Sequence, residues 1–403
     1  MADNKENKVL NVPALRFPEF TDEWHKQSLG EIGETIIGLT YKPSDVVESN
    51  GTIVLRSSNI KNGVIDYSDL VRVNKPIKER IITKENDILI CARNGSQRLI
   101  GKNAIIKKED ANNTFGAFMM VYRSKDNPFI LPLLSTKRYF SQVGENLGAR
   151  INQITTSDFN GFDFYFPNSH AERAKIAELF RLIDERIATQ NKIIEDLKKL
   201  KSAIVEMILC KQGGVLLKLG DVGSFIRGLT YSSEDIAEDI NATTVIRANN
   251  LNYGNNVSKK DVVYVNKKPT EIQILRKGDI VICMANGSSS LVGKNSYYSF
   301  DDRQSTIGAF CGIYRSSQPL VKWLMQSQRY RRLVYQSLQG GNGAIANLNG
   351  DDILNMTFYV VEDKKSVSIL SALVLIENSI AVNEKLQELY SMQKEYLLQH
   401  LFI

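Results

Sequence analysis

A tandem repeat covers almost the whole chain after residue 25 and restricts the fold more than any other feature of the sequence. The stretch LGEIGETIIGLTYKPSDV, from Leu29 to Val46, returns as LGDVGSFIRGLTYSSEDI, from Leu219 to Ile236. In the same way FGAFMMVYRS returns as IGAFCGIYRS, and LIDERIATQNKI returns as LIENSIAVNEKL. A period of this length excludes a solenoid and predicts two copies of one globular domain, each followed by a helical segment.

Within each copy, short β-rich runs alternate with turns that contain glycine. In the first copy these runs lie at residues 52–55, 87–91 and 118–122. One amphipathic helix is expected near residues 131–143, and again at 320–338. The pattern therefore predicts an α+β fold made of two tandem, mixed α/β, strand-rich domains.

Each copy ends in a long segment with the alternating three-and-four spacing of a coiled-coil seam. The seam positions of the first segment are Ile176, Phe180, Ile183, Ile187, Gln190, Ile194, Leu197, Lys201, Ile204 and Ile208. Those of the second are Ile369, Leu373, Ile376, Ile380, Asn383, Gln387, Tyr390, Lys394, Leu397 and Leu401. The second seam is less apolar, so pairing of the two helices with each other is the economical way to bury both. At about 1.5 Å per residue, the first helix would be about 60 Å long, which is typical of a spacer.

The composition is that of an ordinary globular protein. Of 403 residues, 43% are apolar and 24% are charged, and the formal net charge of +6 is only a weak indication of a nucleic-acid partner. No uninterrupted run of about 18 apolar residues occurs, so no membrane span is expected. The stretch MADNKENKVLNVPALRF lacks the apolar core of a secretion signal, and a cytoplasmic location is expected.

The cysteines and histidines do not form a metal-binding pattern. The four cysteines, Cys91, Cys210, Cys283 and Cys311, are isolated in apolar surroundings and form no CxxC pair, and His25, His170 and His400 lie far apart. We expect the cysteines to be small buried core residues rather than metal ligands or nucleophiles.

The stretch NGSQRLIGKN, from Asn94 to Asn103, resembles a nucleotide-phosphate loop, but its glycine spacing and the Asn after Gly-Lys depart from that motif. The same departures occur in NGSSSLVGKN, from Asn286 to Asn295. A degraded catalytic loop would hardly lose the same features twice. The better interpretation is one scaffold that presents different tips to two different ligands. GNGAIA at residues 341–346 matches a dinucleotide fingerprint only superficially, because its counterpart GARINQ lacks the glycines.

The chain resembles the specificity (S) subunit of type I restriction–modification enzymes. The resemblance rests on LRFPEFTDEW (residues 15–24), on the LGxxG domain start that occurs twice, and on the segment ERAKIAELFRLIDERIATQNKIIEDLKKLKSAIVEMIL (residues 172–209). It spans the whole chain. It implies an N-terminal segment at residues 1–25, target-recognition domains at 26–168 and 214–361, and helical spacers at 169–213 and 362–403.

The resemblance also implies a function and partners. The chain would be a non-catalytic subunit that binds double-stranded DNA with a bipartite site, each recognition domain reading one half. The spacer helices would pair as an antiparallel coiled coil and set the gap between the half-sites. Two modification (methyltransferase) subunits would dock on the chain, with restriction subunits possible. S-adenosylmethionine and ATP with Mg²⁺ would bind to those partners, and no cofactor to this chain.

Side chains with paired donors and acceptors, such as Arg, Asn and Gln, suit base edges, whereas Lys and hydroxyl groups suit phosphates. In the first domain the candidate DNA-binding residues are Arg56, Asn59, Arg93, Asn94, Ser96, Gln97, Arg98, Lys102, Arg150, Asn152 and Gln153. In the second domain they are Arg247, Asn249, Asn250, Asn286, Ser288, Ser289, Ser290, Lys294, Arg331, Arg332, Asn342 and Asn347. Positions that differ between the copies, namely Arg93, Gln97 and Arg98, are the better candidates for reading bases. Arg56 and Arg247 follow apolar strand residues, so a buried and paired role is an alternative for them.

Two other function classes stay open from the residues alone. The chain could be an enzyme, although the loops are rich in amides and hydroxyls and poor in carboxylate pairs. It could also be a tandem-domain coiled-coil adaptor that binds protein or glycan rather than DNA.

Overall fold

A computed structural model describes residues 10–149, 152–209, 214–339, 346–361 and 363–403. The chain divides into two compact units. Unit 1 comprises Met1–Gln190 and Leu386–Ile403, and unit 2 comprises Asn191–Lys385. The long helices predicted at the end of each copy therefore contribute residues to both units.

Unit 1 is built from short strands and a few helices. Its strands are β1 (His25–Ser28), β2 (Glu34–Ile37), β3 (Val46–Val47), β4 (Thr52–Leu55), β5 (Ile60–Lys61), β6 (Val64–Ile65), β7 (Arg72–Val73), β8 (Ile88–Cys91), β9 (Asn103–Ile105), β10 (Thr114–Phe115), β11 (Met119–Arg123) and β12 (Asp163–Phe166). Its helices are α1 (Leu29–Ile32), α2 (Asn127–Leu133), α3 (Lys137–Ala149), α4 (Thr156–Gly161) and the first part of α5 (His170–Glu206). The main sheets have the orders β2-β11-β8-β9 and β10-β4-β7-β3, and β1 pairs with β12.

Unit 2 repeats this topology. Its strands are β13 (Val215–Lys218), β14 (Gly223–Arg227), β15 (Ile236–Ala237), β16 (Thr243–Ile246), β17 (Val263–Val265), β18 (Ile280–Cys283), β19 (Ala285–Asn286), β20 (Asn295–Tyr297), β21 (Ser305–Ile307), β22 (Cys311–Ser316), β23 (Ala346–Asn347) and β24 (Thr357–Val360). Its helices are α6 (Leu219–Val222), α7 (Val321–Leu324), α8 (Gln328–Gln339), α9 (Gly350–Leu354) and most of α10 (Asp363–His400). The sheet orders β14-β22-β18-β20 and β21-β16-β17-β15 match those of unit 1 strand for strand, and β13 pairs with β24 as β1 pairs with β12.

The central strands of each unit are apolar because they are buried on both faces. Every residue of β8 and of β18 is buried, which explains why both read as continuous apolar runs rather than as an alternating pattern. An ion pair between a half-buried arginine and a buried aspartate lies beside each central sheet: Arg123 donates two bonds to Asp87 (2.8 and 2.6 Å), and Arg315 donates two to Asp279 (2.8 and 2.7 Å). The predicted strand-rich α+β class is thus the observed one.

The expectation of one amphipathic helix at residues 131–143, and again at 320–338, is wrong in detail. Each region forms two helices, α2 and α3 in unit 1 and α7 and α8 in unit 2. The interruption has a local cause. The hydroxyl of Thr136 donates to the carbonyl of Leu133 (2.7 Å), and the hydroxyl of Ser327 donates to that of Leu324 (2.6 Å). A hydroxyl that hydrogen-bonds nearby backbone competes with continuation of the helix.

The long helices α5 and α10 run antiparallel to each other within each unit. In unit 1, Asp184 pairs with Lys394 at 2.6 Å, while Arg186 contacts Tyr390 further along α5. In unit 2, Lys198 pairs with Glu384 at 2.6 Å. The residue numbers rise on one helix as they fall on the other. Every predicted seam position is buried or half-buried, and all of them lie on the two helices except Ile208 and Leu401, which follow the helix ends. The heptad interpretation is confirmed.

The motif LRFPEFTDEW packs against the start of α5. Arg16 donates two bonds to the carboxylate of Glu172 (2.7 and 2.8 Å), and the indole of Trp24 donates a third at 3.2 Å. Glu172 is 1% exposed, and a buried carboxylate needs such a set of donors. In the same core Phe402 stacks on Phe180, with 5.7 Å between ring centroids. These contacts fix the helix ends of unit 1 against its sheet.

Candidate nucleic-acid interface

The polar loops of unit 1 that the sequence singled out lie together. We call residues 56–59, 93–98, 116–118 and 152–153 loop cluster 1. The amide of Asn94 donates to the hydroxyl of Ser57 (3.0 Å), and that of Asn152 donates to the carbonyl of Gly95 (3.1 Å). A β-bridge joins Arg93 to Gln153. Segments that are far apart in sequence thus form one surface.

The corresponding loops of unit 2 also meet. We call residues 247–250, 285–290, 308–310 and 346–347 loop cluster 2. Here the contact is a strand pair, β19 with β23, in which Ala285 lies opposite Asn347. The amide of Gly308 donates to the carbonyl of Ile246 (3.0 Å), just before Arg247. The two clusters are therefore built in the same way on repeat-equivalent strands.

The glycine of the shared Gly-Lys-Asn sequence supports the loops. Gly101 and Gly293 adopt positive φ angles of 81° and 78°, a conformation that favours glycine. The carbonyl of Gly101 accepts a bond from the buried hydroxyl of Tyr139, and that of Gly293 from Tyr330, both at 2.9 Å. The resemblance to a nucleotide loop thus comes from a structural anchor.

Asn59 and Asn250, both predicted to contact DNA, are instead parts of the loop framework. Their side chains are 0% and 1% exposed. The side-chain oxygen of each accepts from the backbone amide three residues before it, of Arg56 or Arg247, at 2.9 Å. The Asn59 amide donates to the carbonyls of Asp66 and Asp69, and that of Asn250 to the carbonyl of Lys260. Their hydrogen-bonding groups face inward, so we remove both from the set of base-reading candidates.

Arg56 and Arg247 occupy an intermediate position. Both are half-buried. Arg56 forms an ion pair with Asp69 at 2.8 Å, and Arg247 donates to the carbonyl of Asp261 at 3.2 Å. Both side chains are therefore partly buried and have a hydrogen-bond or ion-pair partner within their own unit, as the alternative interpretation expected.

The other predicted residues divide by exposure. The exposed ones are Arg93, Ser96, Gln97, Arg98, Asn249, Ser288, Ser289, Ser290, Arg331, Arg332 and Asn347. The half-buried ones are Asn94, Lys102, Asn152, Gln153, Asn286 and Lys294. Arg150 and Asn342 lie outside the described residues.

The tips of the two clusters differ in charge on the same backbone frame. Residues 97–99 and 289–291 form equivalent 3₁₀ turns. On this frame Gln97 and Arg98 of cluster 1 are replaced by Ser289 and Ser290 in cluster 2, and Arg93 by Ala285. Cluster 1 thus offers guanidinium and amide groups where cluster 2 offers hydroxyls, which suits two different sets of base edges.

A cationic patch adjoins cluster 2. The ammonium of Lys294 and the guanidinium of Arg331 lie 5.5 and 5.8 Å from the centroid of the Tyr253 ring. The Tyr253 hydroxyl donates to the carbonyl of Ser290 at 2.7 Å. These residues line a cavity of about 600 Å³ in unit 2, together with Lys198 and Lys201. The arrangement is typical of a surface that binds an anion.

Sequence reasoning missed the aromatic members of these surfaces. Tyr253 carries no signal of its own, because its role depends on cations brought to it from distant positions. Phe118 and Phe310 stand in the sequence as parts of a repeated strand, yet they are 60% and 71% exposed at the centre of their loop clusters. Their repeat-equivalent positions were the available clue.

The loop clusters are rich in amide, guanidinium and hydroxyl groups, and their residues include no Asp, Glu, His or Cys. Cys91 precedes cluster 1, and burial raises the pKa of its thiol to about 11. Cys91, Cys283 and Cys311 are buried as expected, whereas Cys210 lies outside the described residues. Within the described ranges, no group of three or more His, Cys, Asp or Glu could hold a metal ion.

Comparison with protein families supports the resemblance seen in the sequence. Residues 21–199 match the type I restriction modification DNA specificity domain. The chain is 24% identical over 296 residues to the StySPI specificity subunit of Salmonella potsdam, which covers 67% of this chain and 63% of that protein. It is 28% identical over 164 residues to the EcoKI specificity subunit of Escherichia coli K12, which covers 39% of this chain and 35% of that protein. The matched parts of both relatives are less than two thirds of their length.

Comparison with solved structures extends the likeness in fold to the whole chain. The S subunit of a type I restriction-modification system from M. genitalium has a TM-score of 0.61 and 15% identity, covering 97% of this chain and 99% of that one. A chain from a type I R-M system studied for its complex assembly and conformational transition has a TM-score of 0.51 and 14% identity, covering 94% and 96%. The predicted fold class and the predicted resemblance are both confirmed.

Proposed function

From the specificity domain at residues 21–199 and the S-subunit fold of the whole chain, we propose that this protein is the DNA sequence-recognition subunit of a type I restriction–modification complex. Each unit reads one half of a bipartite DNA site through its loop cluster. The chain itself performs no catalysis. Its relatives carry the specificity-subunit description, which favours DNA recognition over a protein- or glycan-binding adaptor.

The observation that carries this proposal is the combination of one frame with two different tips. Equivalent strands and the same hydrogen bond between a tyrosine hydroxyl and a glycine carbonyl support both clusters. Cluster 1 differs from cluster 2 at Arg93, Gln97 and Arg98, whose side chains are exposed. Two copies that selected the same ligand would have no reason to differ there, whereas two unrelated half-sites require a difference.

The helices α5 and α10 provide a surface for partner subunits. Among the side chains that the structure describes on these helices, ten large apolar ones are exposed, namely Leu182, Ile193, Leu200, Val367, Val374, Leu375, Val382, Leu389, Met392 and Tyr396. Exposed apolar residues in such number are typical of a protein interface. We assign this surface to two methyltransferase subunits, which would bring S-adenosylmethionine, while ATP and Mg²⁺ would enter with restriction subunits.

The composition of α10 allows a different partner. Residues Ser366–His400 form one helix long and apolar enough on average to cross a membrane, although no uninterrupted apolar run is present. A helix of a soluble bundle passes the same test. Here Glu377, Glu384 and Lys394 form ion pairs along the helix within units 1 and 2. Because charges in hydrocarbon are costly, these pairs favour a helix bundle over a membrane.

The proposal is tested by mapping methylated adenines genome-wide in cells with and without the gene. We expect one bipartite motif to lose methylation when the gene is deleted. Replacing residues 26–168 with the recognition domain of a relative should change one half of that motif and leave the other intact. A chain whose deletion changes no methylation, and which selects no DNA from a random duplex pool when its partners are present, does not have this function.

A further inference from the structure

Each loop cluster carries an aromatic side chain that is more than half exposed. Phe118 is 60% exposed and Phe310 is 71% exposed, although the residues that follow them, Met119 and Cys311, are 2% exposed. The two phenylalanines occupy the same place in the repeated sequence Gly-Ala-Phe. A single exposed apolar residue is ordinary, but an aromatic ring exposed at the same position of both units, between the polar loops, points to a ligand that covers it.

The backbone holds these rings at the centre of the clusters. On one side the amide of Gly116 donates to the carbonyl of Leu55 (3.0 Å), next to Arg56. On the other side the amides of Ala92 and Arg93 both donate to the carbonyl of Phe118 at 3.0 Å. The turn is therefore clamped between the two loops that carry the polar tips.

Unit 2 has the same clamp. The amides of Met284 and Ala285 donate to the carbonyl of Phe310 at 2.8 and 3.3 Å. The amide of Gly308 donates to the carbonyl of Ile246, the residue before Arg247, at 3.0 Å. A ligand that reaches the polar tips on both sides must also meet the phenylalanine between them.

We propose that Phe118 and Phe310 are apolar wedges that press against the bases of their half-sites and unstack a base step. This inference rests on the proposed function. Proteins that bend or kink DNA insert phenylalanine and other apolar side chains between base pairs. Every base has a π-face on which an aromatic ring can stack. The polar and cationic groups around each ring favour DNA over an apolar protein partner.

The two wedges are not equivalent. In unit 1 the guanidinium of Arg93 covers one face of the Phe118 ring, 5.2 Å from its centroid. In unit 2 Ala285 stands in place of Arg93, so Phe310 has no such cover. Phe310 is therefore the wedge whose removal has the larger effect.

The test uses the full-length chain co-expressed with the modification subunits. Selection from a random duplex pool first identifies the bound sequence, and 2-aminopurine is then placed at each position of that duplex. We expect binding of the wild type to raise the 2-aminopurine fluorescence at one step in each half-site. Phe310→Ala should abolish this rise in its own half-site and weaken binding roughly 10-fold, as expected for the removal of one stacked base. The dependence of affinity on salt should not change, since this substitution removes no cationic group.

Matched variants show whether the effect belongs to the aromatic ring at this position. Val46→Ala and Ile236→Ala remove exposed apolar side chains at repeat-equivalent positions outside the clusters, and they should leave both readouts unchanged. Phe310→Leu keeps an apolar side chain and should retain the fluorescence rise in part. Wild-type affinity and fluorescence in both Phe118→Ala and Phe310→Ala would overturn the inference, as would loss of partner binding with DNA binding intact. A wild type that selects no duplex contradicts the proposed function itself.

Discussion

The guanidinium of Arg93 lies over the ring of Phe118, 5.2 Å from the ring centroid. This contact orients an exposed cation at the centre of loop cluster 1 without engaging its hydrogen-bond donors. A planar guanidinium whose donors stay available suits the O6 and N7 acceptors of guanine. Arg93→Ala should therefore relax base preference at one position of one half-site, at a cost of about 1–3 kcal/mol in binding.

Duplex selection with each variant measures this effect. Lys108→Ala, which removes an exposed cation outside cluster 1, is the matched control and should keep the wild-type base profile. An Arg93→Ala profile identical to the wild type at every position would remove Arg93 from base reading.

Arg331 and Lys294 should act through phosphate. Both cations flank Tyr253, and Arg332 follows Arg331 on α8 and is exposed. Removing a cation that binds a phosphate should reduce the slope of log K against log salt by about 0.9. We therefore expect Arg331→Ala, and in addition Arg332→Ala, to flatten the salt dependence while the selected sequence stays the same. Arg303→Ala, another exposed cation of unit 2, is the control, and an unchanged slope in the Arg331 and Arg332 variants would exclude them from the interface.

The buried ion pairs should matter for stability separately in each unit. Asp279 is 2% exposed and accepts two bonds from Arg315. Asp279→Asn leaves the half-buried guanidinium of Arg315 without its counter-charge, which should cost less than the about 3–5 kcal/mol of a fully buried pair. Urea denaturation monitored by amide hydrogen exchange should show unit 2 unfolding at a lower urea concentration, with unit 1 unaffected. Asp87→Asn should instead lower the unfolding concentration of unit 1 alone. Glu238→Gln, at an exposed carboxylate, should change neither, and equal destabilisation of both units would contradict the separate roles.

Acid stability of unit 2 should depend on Asp302. Burial acts to raise the pKa of this carboxyl, but hydrogen bonds from Lys259 and Tyr298 outweigh it and lower the pKa from 3.8 to about 2. The folded state thus prefers the ionised carboxylate of Asp302. Its contribution to the free energy of unfolding is fully present above pH 3.8 and is lost as the pH falls towards 2. The stability difference between wild type and Asp302→Asn, measured by urea denaturation, should shrink over that interval. Asp301→Asn, which removes an exposed neighbouring carboxylate, is the control for the substitution itself. A difference between wild type and Asp302→Asn that stays constant with pH would contradict the assignment.

The pairing of α5 with α10 should control the gap between half-sites. Deleting residues 184–190 removes one heptad of α5 together with the Asp184–Lys394 ion pair. We expect methylation mapping to return the same half-site sequences separated by a different gap. Deleting residues 388–394 as well removes the facing heptad of α10 and should restore stability relative to the single deletion. A change in either half-site sequence would contradict a pure spacer role.

Much of the architecture was predictable because it depends on local patterns. The repeated sequence implied two copies of one fold, and the heptad spacing identified seam positions that are all buried or half-buried. Helix continuity was harder to predict at residues 131–143 and 320–338. There the hydroxyls of Thr136 and Ser327 bond backbone carbonyls at the point where each helix is interrupted.

The candidate interface was predictable as a set of loops but not as a set of side-chain directions. Asn59 and Arg93 have residue types equally suited to bases, yet the amide of Asn59 is satisfied by carbonyls of Asp66 and Asp69, and Arg93 is exposed. Hydrogen-bond partners seven or ten residues away do not appear in a loop's own sequence.

The sequence by itself determined that two equivalent domains and two paired helices form, because periodicity and duplication are properties of the chain alone. Tertiary structure decided which polar groups are free and which apolar groups are left uncovered. Tyr253 acquires its cations, and Phe118 and Phe310 their central position, only when strands distant in sequence come together. The competition among neighbouring donors, acceptors and apolar surfaces is settled by proximity in space, which no single stretch of residues encodes.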